Sequence, residues 1–199
     1  LSNFSTGKMG YAMAAAAHKL GAEVTLVSGP VSLMPPAGVQ VVRVESAAEM
    51  LHAILERYAT SDIVVKTAAV ADYRPKIQHT QKMKKQAGET VIELERTTDI
   101  LLTLGQKKKD QLLIGFAAET NDVLKYAKDK LQKKNADYIV ANDITKAGAG
   151  FGSDTNIVTV VGHDDFMQSL GPMDKKELAS AIFQIILQRE GVAEAVREQ

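Results

Sequence analysis

Apolar positions along the chain alternate between two periods. Residues 8–20 read as a helix in which Ala12 and the alanine run at 14–17 permit close approach to a sheet, and Gly21 stops it. Short apolar runs at 24–28, 39–44, 62–67, 112–116, 138–141 and 156–161 read as strands. Gly29-Pro30 and then Pro35-Pro36 interrupt the chain after the first run. Helical patterns fall at 47–58, with Met50, Ile54 and Leu55 on one face, and at 99–107 and 122–134. A closing helix at 175–189 spaces Leu178, Ile182 and Ile186 to pack on a sheet. Alternating strands and helices predict an α/β fold: a Rossmann-like, mostly parallel sheet with flanking helices.

Two irregularities interrupt that scheme. The chain opens on a loop, whereas a doubly wound fold places a central strand just before a phosphate loop and helix. The expectation is therefore one domain over residues 1–199 whose first strand lies upstream of Leu1. Residues 73–97 do not fit a βαβ crossover. They read as a β-hairpin-like excursion, and long excursions of this kind serve as lids, flaps or dimerisation arms.

Composition narrows the chemistry. A chain of 199 residues is long enough for one α/β domain with a full core. Equal numbers of acidic and basic residues, 24 each, argue against a nucleic-acid partner. No apolar run approaches the ~18 residues of a membrane span, and no signal peptide is visible, so a cytoplasmic enzyme is expected. Cysteine is absent, which removes thiol nucleophiles and cysteine zinc sites. His18, His52, His79 and His163 lack ligand spacing, and oxygen ligation of a hard metal such as Mg2+ stays open.

Candidate chemistry concentrates in loops. Ser5-Thr6-Gly7-Lys8-Met9-Gly10 supplies small residues at a helix start, where free N–H groups and the helix dipole favour phosphate. A plain Ser or Thr cap is the alternative. The segment is neither a P-loop nor a full Gly-x-Gly-x-x-Gly fingerprint. After the strand at 62–67, Thr67-Ala68-Ala69-Val70-Ala71-Asp72-Tyr73 leaves room for a ligand at the sheet's rim; Asp72 can hold a hydroxyl, amine or metal, or simply cap a turn. Lys82, Lys84 and Lys85 sit in the excursion and can neutralise a triphosphate, or form a solvated face. Asp99-Ile100-Leu101 starts a helix; Asp99 can cap it, while the backbone can line a pocket. Phe116 can stack on a base or close the core. Lys130 and Lys134 lie one turn apart, and Asn142 ends a strand at the same rim. Tyr126 and Lys130 have the Tyr-x-x-x-Lys spacing of short-chain reductases, where Lys lowers the Tyr pKa, but no ribose-binding acid follows Val27-Ser28-Gly29. An NAD(P)-dependent reductase and a non-catalytic nucleotide-binding module are the alternatives carried forward.

Taken in order, Ser2-Asn3-Phe4-Ser5-Thr6-Gly7-Lys8-Met9-Gly10, Val27-Ser28-Gly29-Pro30, Ala68-Ala69-Val70-Ala71-Asp72-Tyr73, Lys82-Met83-Lys84-Lys85, Asp99-Ile100-Leu101, Gly115-Phe116-Ala117-Ala118-Glu119-Thr120 and Ala141-Asn142-Asp143 closely resemble phosphopantothenoylcysteine synthetase. This is the ligase half of a bacterial bifunctional coenzyme A biosynthesis protein, and the resemblance covers nearly the whole chain. It implies a CTP-dependent ligase joining 4'-phosphopantothenate to L-cysteine through an acyl-cytidylate, with release of pyrophosphate and CMP. It implies Mg2+ with CTP as co-substrate, a homodimer bridged by the excursion, a flavin-dependent decarboxylase domain fused or associated in the parent, and no FMN site in this chain. By the same resemblance Asn3 contacts the acyl-cytidylate and Lys82 stabilises charge on a flap. Ser5, Thr6, Gly7 and Lys8 cradle the triphosphate, while Ala68 and Asp72 line the cytidine pocket. Asp99, Ile100, Leu101 and Phe116 approach the nucleotide, Lys130 and Lys134 complete its binding, and Asn142 faces substrate.

Overall fold

The computed structural model describes residues 3, 5–77, 81, 91–119, 122–143 and 153–192. The elements in order are α1 (Lys8–Lys19), β1 (Thr25–Ser28), β2 (Gln40–Arg43), α2 (Ala47–Tyr58), β3 (Ile63–Lys66), β4 (Tyr73–Pro75) and β5 (Leu94–Arg96). They continue with α3 (Ile100–Lys107), β6 (Leu112–Glu119), α4 (Val123–Lys133), β7 (Tyr138–Asp143), β8 (Thr155–Gly162), β9 (Met167–Asp174) and α5 (Lys175–Arg189). A five-stranded sheet runs β3-β6-β7-β8-β9, and β1 pairs with β2 in a two-stranded sheet. The β1–β2, β3–β6 and β6–β7 ladders are parallel, whereas β7–β8 and β8–β9 are antiparallel.

Alternation along the central strands sends side chains to opposite faces. Leu113, Ile139 and Val161 enter one core with α2, α3 and α4. Their sequence neighbours Ile114, Val140 and Val160 enter a second core with α1 and α5. The helices therefore cover both faces, as expected for parallel strands buried on both sides. Ser46 caps α2 by accepting from Glu49 N. Glu49 reaches back to Glu45 N at 2.9 Å and Ser46 Oγ at 3.0 Å, so its first turn is closed from both ends. Gly105 of α3 is required by contact: a Cβ there would lie 1.8 Å from the Lys134 carbonyl. Asn135 Nδ2 donates to Gly105 O at 2.9 Å across the same crossing.

The strands depart from expectation in two respects. Strand β9 is not among the strands expected from the apolar runs; it lies at the sheet edge, where the missing N–H of Pro172 is tolerated. The strands at 112–116 and 138–141 extend further, to 119 and 143. Phe116 thus lies in mid-strand, paired with Val140, rather than at a strand's end, and Asn142 is a ladder residue paired with Ala118. The excursion begins and ends as expected in an antiparallel pair, β4 against β5, with Tyr73 opposite Arg96.

Candidate functional site

The N-terminus of α1 is held open by backbone conformation. Gly7 occupies the N-cap in the left-handed region, φ 78°, with no side-chain cap bond. A Ser or Thr cap, the alternative read from sequence, is not used. The first-turn N–H groups keep no side-chain acceptor at the cap, which suits an anion. Ser5 and Thr6 are half-buried beside it. The Lys8 ammonium is engaged by a carboxylate: Nζ pairs with Asp154 Oδ1 at 2.6 Å. That hydrogen bond and the Lys8 charge hold the Asp154 carboxyl below the usual aspartate range.

The loop after β3 is tied down at successive carbonyls. Lys66 Nζ donates to Ala68 O at 2.7 Å, and Asn3 Nδ2 donates to Ala69 O at 2.8 Å. Thr97 N donates to Asp72 O at 2.8 Å, closing the base of the excursion. Ala68 packs partly buried on the α2–α3–α4 core, while Asp72 is exposed.

Charges converge beside this loop. Asp99 is the N-cap of α3, accepting from Leu102 N at 2.9 Å, and its other oxygen takes Lys134 Nζ at 2.8 Å. Burial raises the Asp99 carboxyl, but the Leu102 N–H and Lys134 together bring it below the ordinary value. Lys66 feels Asp99, Lys130, Asp72 and Lys134, and burial is the largest influence lowering its pKa. Three lysines and two aspartates from β3, its loop, α3 and α4 therefore form one electrostatic group.

The structure brings together Asn3, Ala68, Asp72, Asp99, Lys130 and Lys134. Ile100 and Leu101 are buried at 2% and 4% exposure, so only their backbone at the α3 start can meet a ligand. Phe116 packs against the α1–α5 core, and Asn142 is 8% exposed in β7. Lys82 lies outside the described residues. Tyr126, the reductase candidate, is 48% exposed on α4. Sequence reasoning missed Lys66, whose signal was a lysine ending an otherwise apolar run. It also missed a cleft of about 420 Å³ at the carboxyl ends of β1 and β2, lined by Ser28, Gly29, Pro30 and Arg43. There Tyr11 OH lies 3.0 Å from Ser28 Oγ, and Arg43 Nη1 donates to Tyr11 OH at 3.4 Å. The described residues contain no group of three or more His, Asp or Glu placed to hold a metal.

Relatives agree with the motif reading. The chain is 55% identical over 186 residues to the coenzyme A biosynthesis bifunctional protein CoaBC of Bacillus subtilis, covering 93% of this chain and 46% of the relative. It is 46% identical over 189 residues to a cysteine/cysteine sulfinic acid decarboxylase of an unknown prokaryotic organism, covering 94% of this chain and 53% of that protein. The chain thus spans about half the length of these curated relatives. A crystal structure of the C-terminal domain of CoaBC superposes with TM-score 0.80 at 51% identity, covering 95% of this chain and 85% of that one. Residues 1–189 match the model of the DNA/pantothenate metabolism flavoprotein C-terminal domain, and the chain belongs to that family.

Proposed function

We propose that this chain is a CTP-dependent ligase that joins 4'-phosphopantothenate to L-cysteine. The observation that carries the reading is that Lys66, within electrostatic reach of Lys130 and Lys134, holds the loop that also receives Asn3. A carboxylate is a poor acylating agent, and two anions must meet before it can be activated. Cations and oriented N–H groups lower that barrier by screening charge as it moves.

In the first step a carboxylate oxygen of phosphopantothenate attacks the α-phosphorus of CTP. The α–β bridging bond breaks and pyrophosphate leaves, giving the acyl-cytidylate. In the second step the cysteine amine attacks the acyl carbon, CMP leaves with the bonding electrons, and the amine loses a proton. The open α1 N-terminus receives phosphate oxygens, with Ser5 and Thr6 beside it. The Ala68 loop and Asp72 position the nucleoside, and Lys130 and Lys134 offset the triphosphate charge. Asn3 orients the acyl group. Asp99, Phe116 and Asn142 act mainly as a cap and as strand residues that fix the surrounding frame. Mg2+ enters with CTP as part of the substrate, held by phosphate oxygens.

Lys82 on the excursion supplies charge during intermediate formation and breakdown. Val91 and Ile92, 88% and 67% exposed near β5, support an arm that dimerises. Fusion to a flavin-dependent decarboxylase and a cytoplasmic setting belong to the same proposal; no helix among the described residues is long and apolar enough to cross a membrane.

The test is pyrophosphate release from CTP, Mg2+, phosphopantothenate and cysteine. Release that requires all components supports the ligase. Lys82→Gln is expected to slow turnover and to let acyl-cytidylate accumulate. Nucleotide binding without turnover, or tight NADPH binding with none of CTP, would defeat it.

A further inference from the structure

We propose that Lys66 is a positioning residue that locks the loop of residues 67–72 in the conformation that receives Asn3; this rests on the ligase reading for its catalytic consequence. Lys66 ends β3, directly after Ile63, Val64 and Val65. An apolar residue would continue that strand at lower solvation cost, because moving an ammonium away from water is unfavourable. Burial pulls Lys66 below the usual lysine range; Asp99 opposes this, Lys130 adds to it, Asp72 opposes it and Lys134 adds to it. What the ammonium does in return is geometric. It donates to Ala68 O at 2.7 Å, its hydrogen bond among the described residues.

The next carbonyl in the chain, Ala69 O, is the one that takes Asn3 Nδ2 at 2.8 Å. Ala68, Ala69, Val70 and Ala71 carry no polar side chain, so this stretch has no device of its own to hold a shape. Its orientation depends on donors from outside. Lys66 fixes Ala68 from the strand side, and Thr97 N fixes Asp72 O at 2.8 Å from the excursion side. With the Lys66 bond gone, the peptide after Ala68 can rotate, and rotation turns Ala69 O away from Asn3. Lys66 thus acts through Asn3 and the loop.

The test combines Lys66→Met, which keeps the stem and removes the donor, with Lys66→Arg, which restores a donor at similar reach. Pyrophosphate-release kinetics are measured for both, for Asn3→Ala, and for the Asn3→Ala/Lys66→Met pair. Hydrogen exchange over residues 67–72 is followed by mass spectrometry. Lys66→Met is expected to lower kcat/KM about tenfold, the worth of roughly one hydrogen bond, and Lys66→Arg to recover most of it. The double variant should be no more than about threefold slower than the slower single variant, because both changes break one unit. Exchange in the loop should rise about tenfold while peptides from β6 and β7 exchange as in the parent. Should Lys66→Met not fold, Lys66→Gln, whose shorter amide does not reach Ala68 O, carries the same expectations. Multiplying single effects, or unchanged loop exchange, would overturn the assignment. If the unaltered protein releases no pyrophosphate, the ligase reading fails, and the exchange measurement still decides whether Lys66 holds the loop.

Discussion

Asp99 combines two interactions that substitution can separate. Its carboxylate accepts from Leu102 N at 2.9 Å as the cap of α3, and pairs with Lys134 Nζ at 2.8 Å. Losing a side-chain cap costs about 1 kcal/mol. The ion pair contributes less, about 0.2–1 kcal/mol, because Asp99 is 46% and Lys134 22% exposed and water screens them. Asp99→Ala removes both and should cost about 1.5–2 kcal/mol, a fall in Tm of about 3–8 °C for a chain of this size. Asp99→Asn keeps a capping oxygen and loses only the charge, so it should cost about 0.5 kcal/mol. Urea unfolding measures both, and the m-value should stay constant while the midpoint moves. Lys134→Met should cost about as much as Asp99→Asn, and nothing further in the Asp99→Asn background. Equal losses for Asp99→Ala and Asp99→Asn would refute the cap. An additive Asp99→Asn/Lys134→Met pair would refute the ion pair.

The same carboxylate sets a pH dependence. Its folded-state pKa lies below the ordinary 3.8, so its stabilisation is present above that value and is lost as pH falls through the lower folded value. The stability gap between the parent and Asp99→Asn should therefore be flat above about pH 5 and close on acidification, as followed by urea midpoints. Gly105→Ala should destabilise by about 3 kcal/mol or more, since its Cβ would lie 1.8 Å from a backbone oxygen that cannot move without α4. Helix propensity alone predicts a gain of about 1 kcal/mol, so calorimetric stabilisation would refute that close crossing. Asp154→Asn releases the Lys8 ammonium. On the ligase reading the KM for CTP should fall about 1.5- to 5-fold with kcat unchanged, the range of one exposed ion pair, and an unchanged KM would remove Lys8 from triphosphate binding.

The helices and central strands were legible because they rest on short-range signals. The apolar runs of the central strands, the face of Met50, Ile54 and Leu55 and the Gly21 stop all act within a few residues, as does the Ser46–Glu49 box that the structure adds. What escaped depends on distant partners. Asp154 lies 146 residues from Lys8, and no local pattern links them. The expected strands stop at Phe116 and Ala141, where the run of large apolar residues gives out, yet the β6–β7 ladder continues to Glu119 and Asp143. Strand β9 carries no continuous apolar run and contains Gly171-Pro172, and its place is set by antiparallel pairing with β8. Among the described residues β1 ladders only with β2, and β3 only with β6, while Val27 and Val64 pack against one shared core.

Two cations expected to serve the nucleotide are paired with carboxylates: Lys8 with Asp154, and Lys134 with Asp99. Each pair holds a long side chain in one place, which lowers the entropy cost of ordering it later. Neither pair is strong. An exposed ion pair contributes about 0.2–1 kcal/mol, whereas a charge-assisted bond to phosphate in a drier site contributes about 1.5–3 kcal/mol. A polyphosphate can therefore take both lysines from their carboxylates, while a neutral or singly charged ligand gains too little to do so. Released Asp99 keeps its cap bond to Leu102 N, so α3 stays in place as Lys134 turns to the ligand. On the ligase reading this exchange of partners favours a triphosphate over a monophosphate without any contact to the base. On that reading it also weakens the hold on the nucleotide once pyrophosphate leaves, which suits the release of CMP at the end of each proposed cycle.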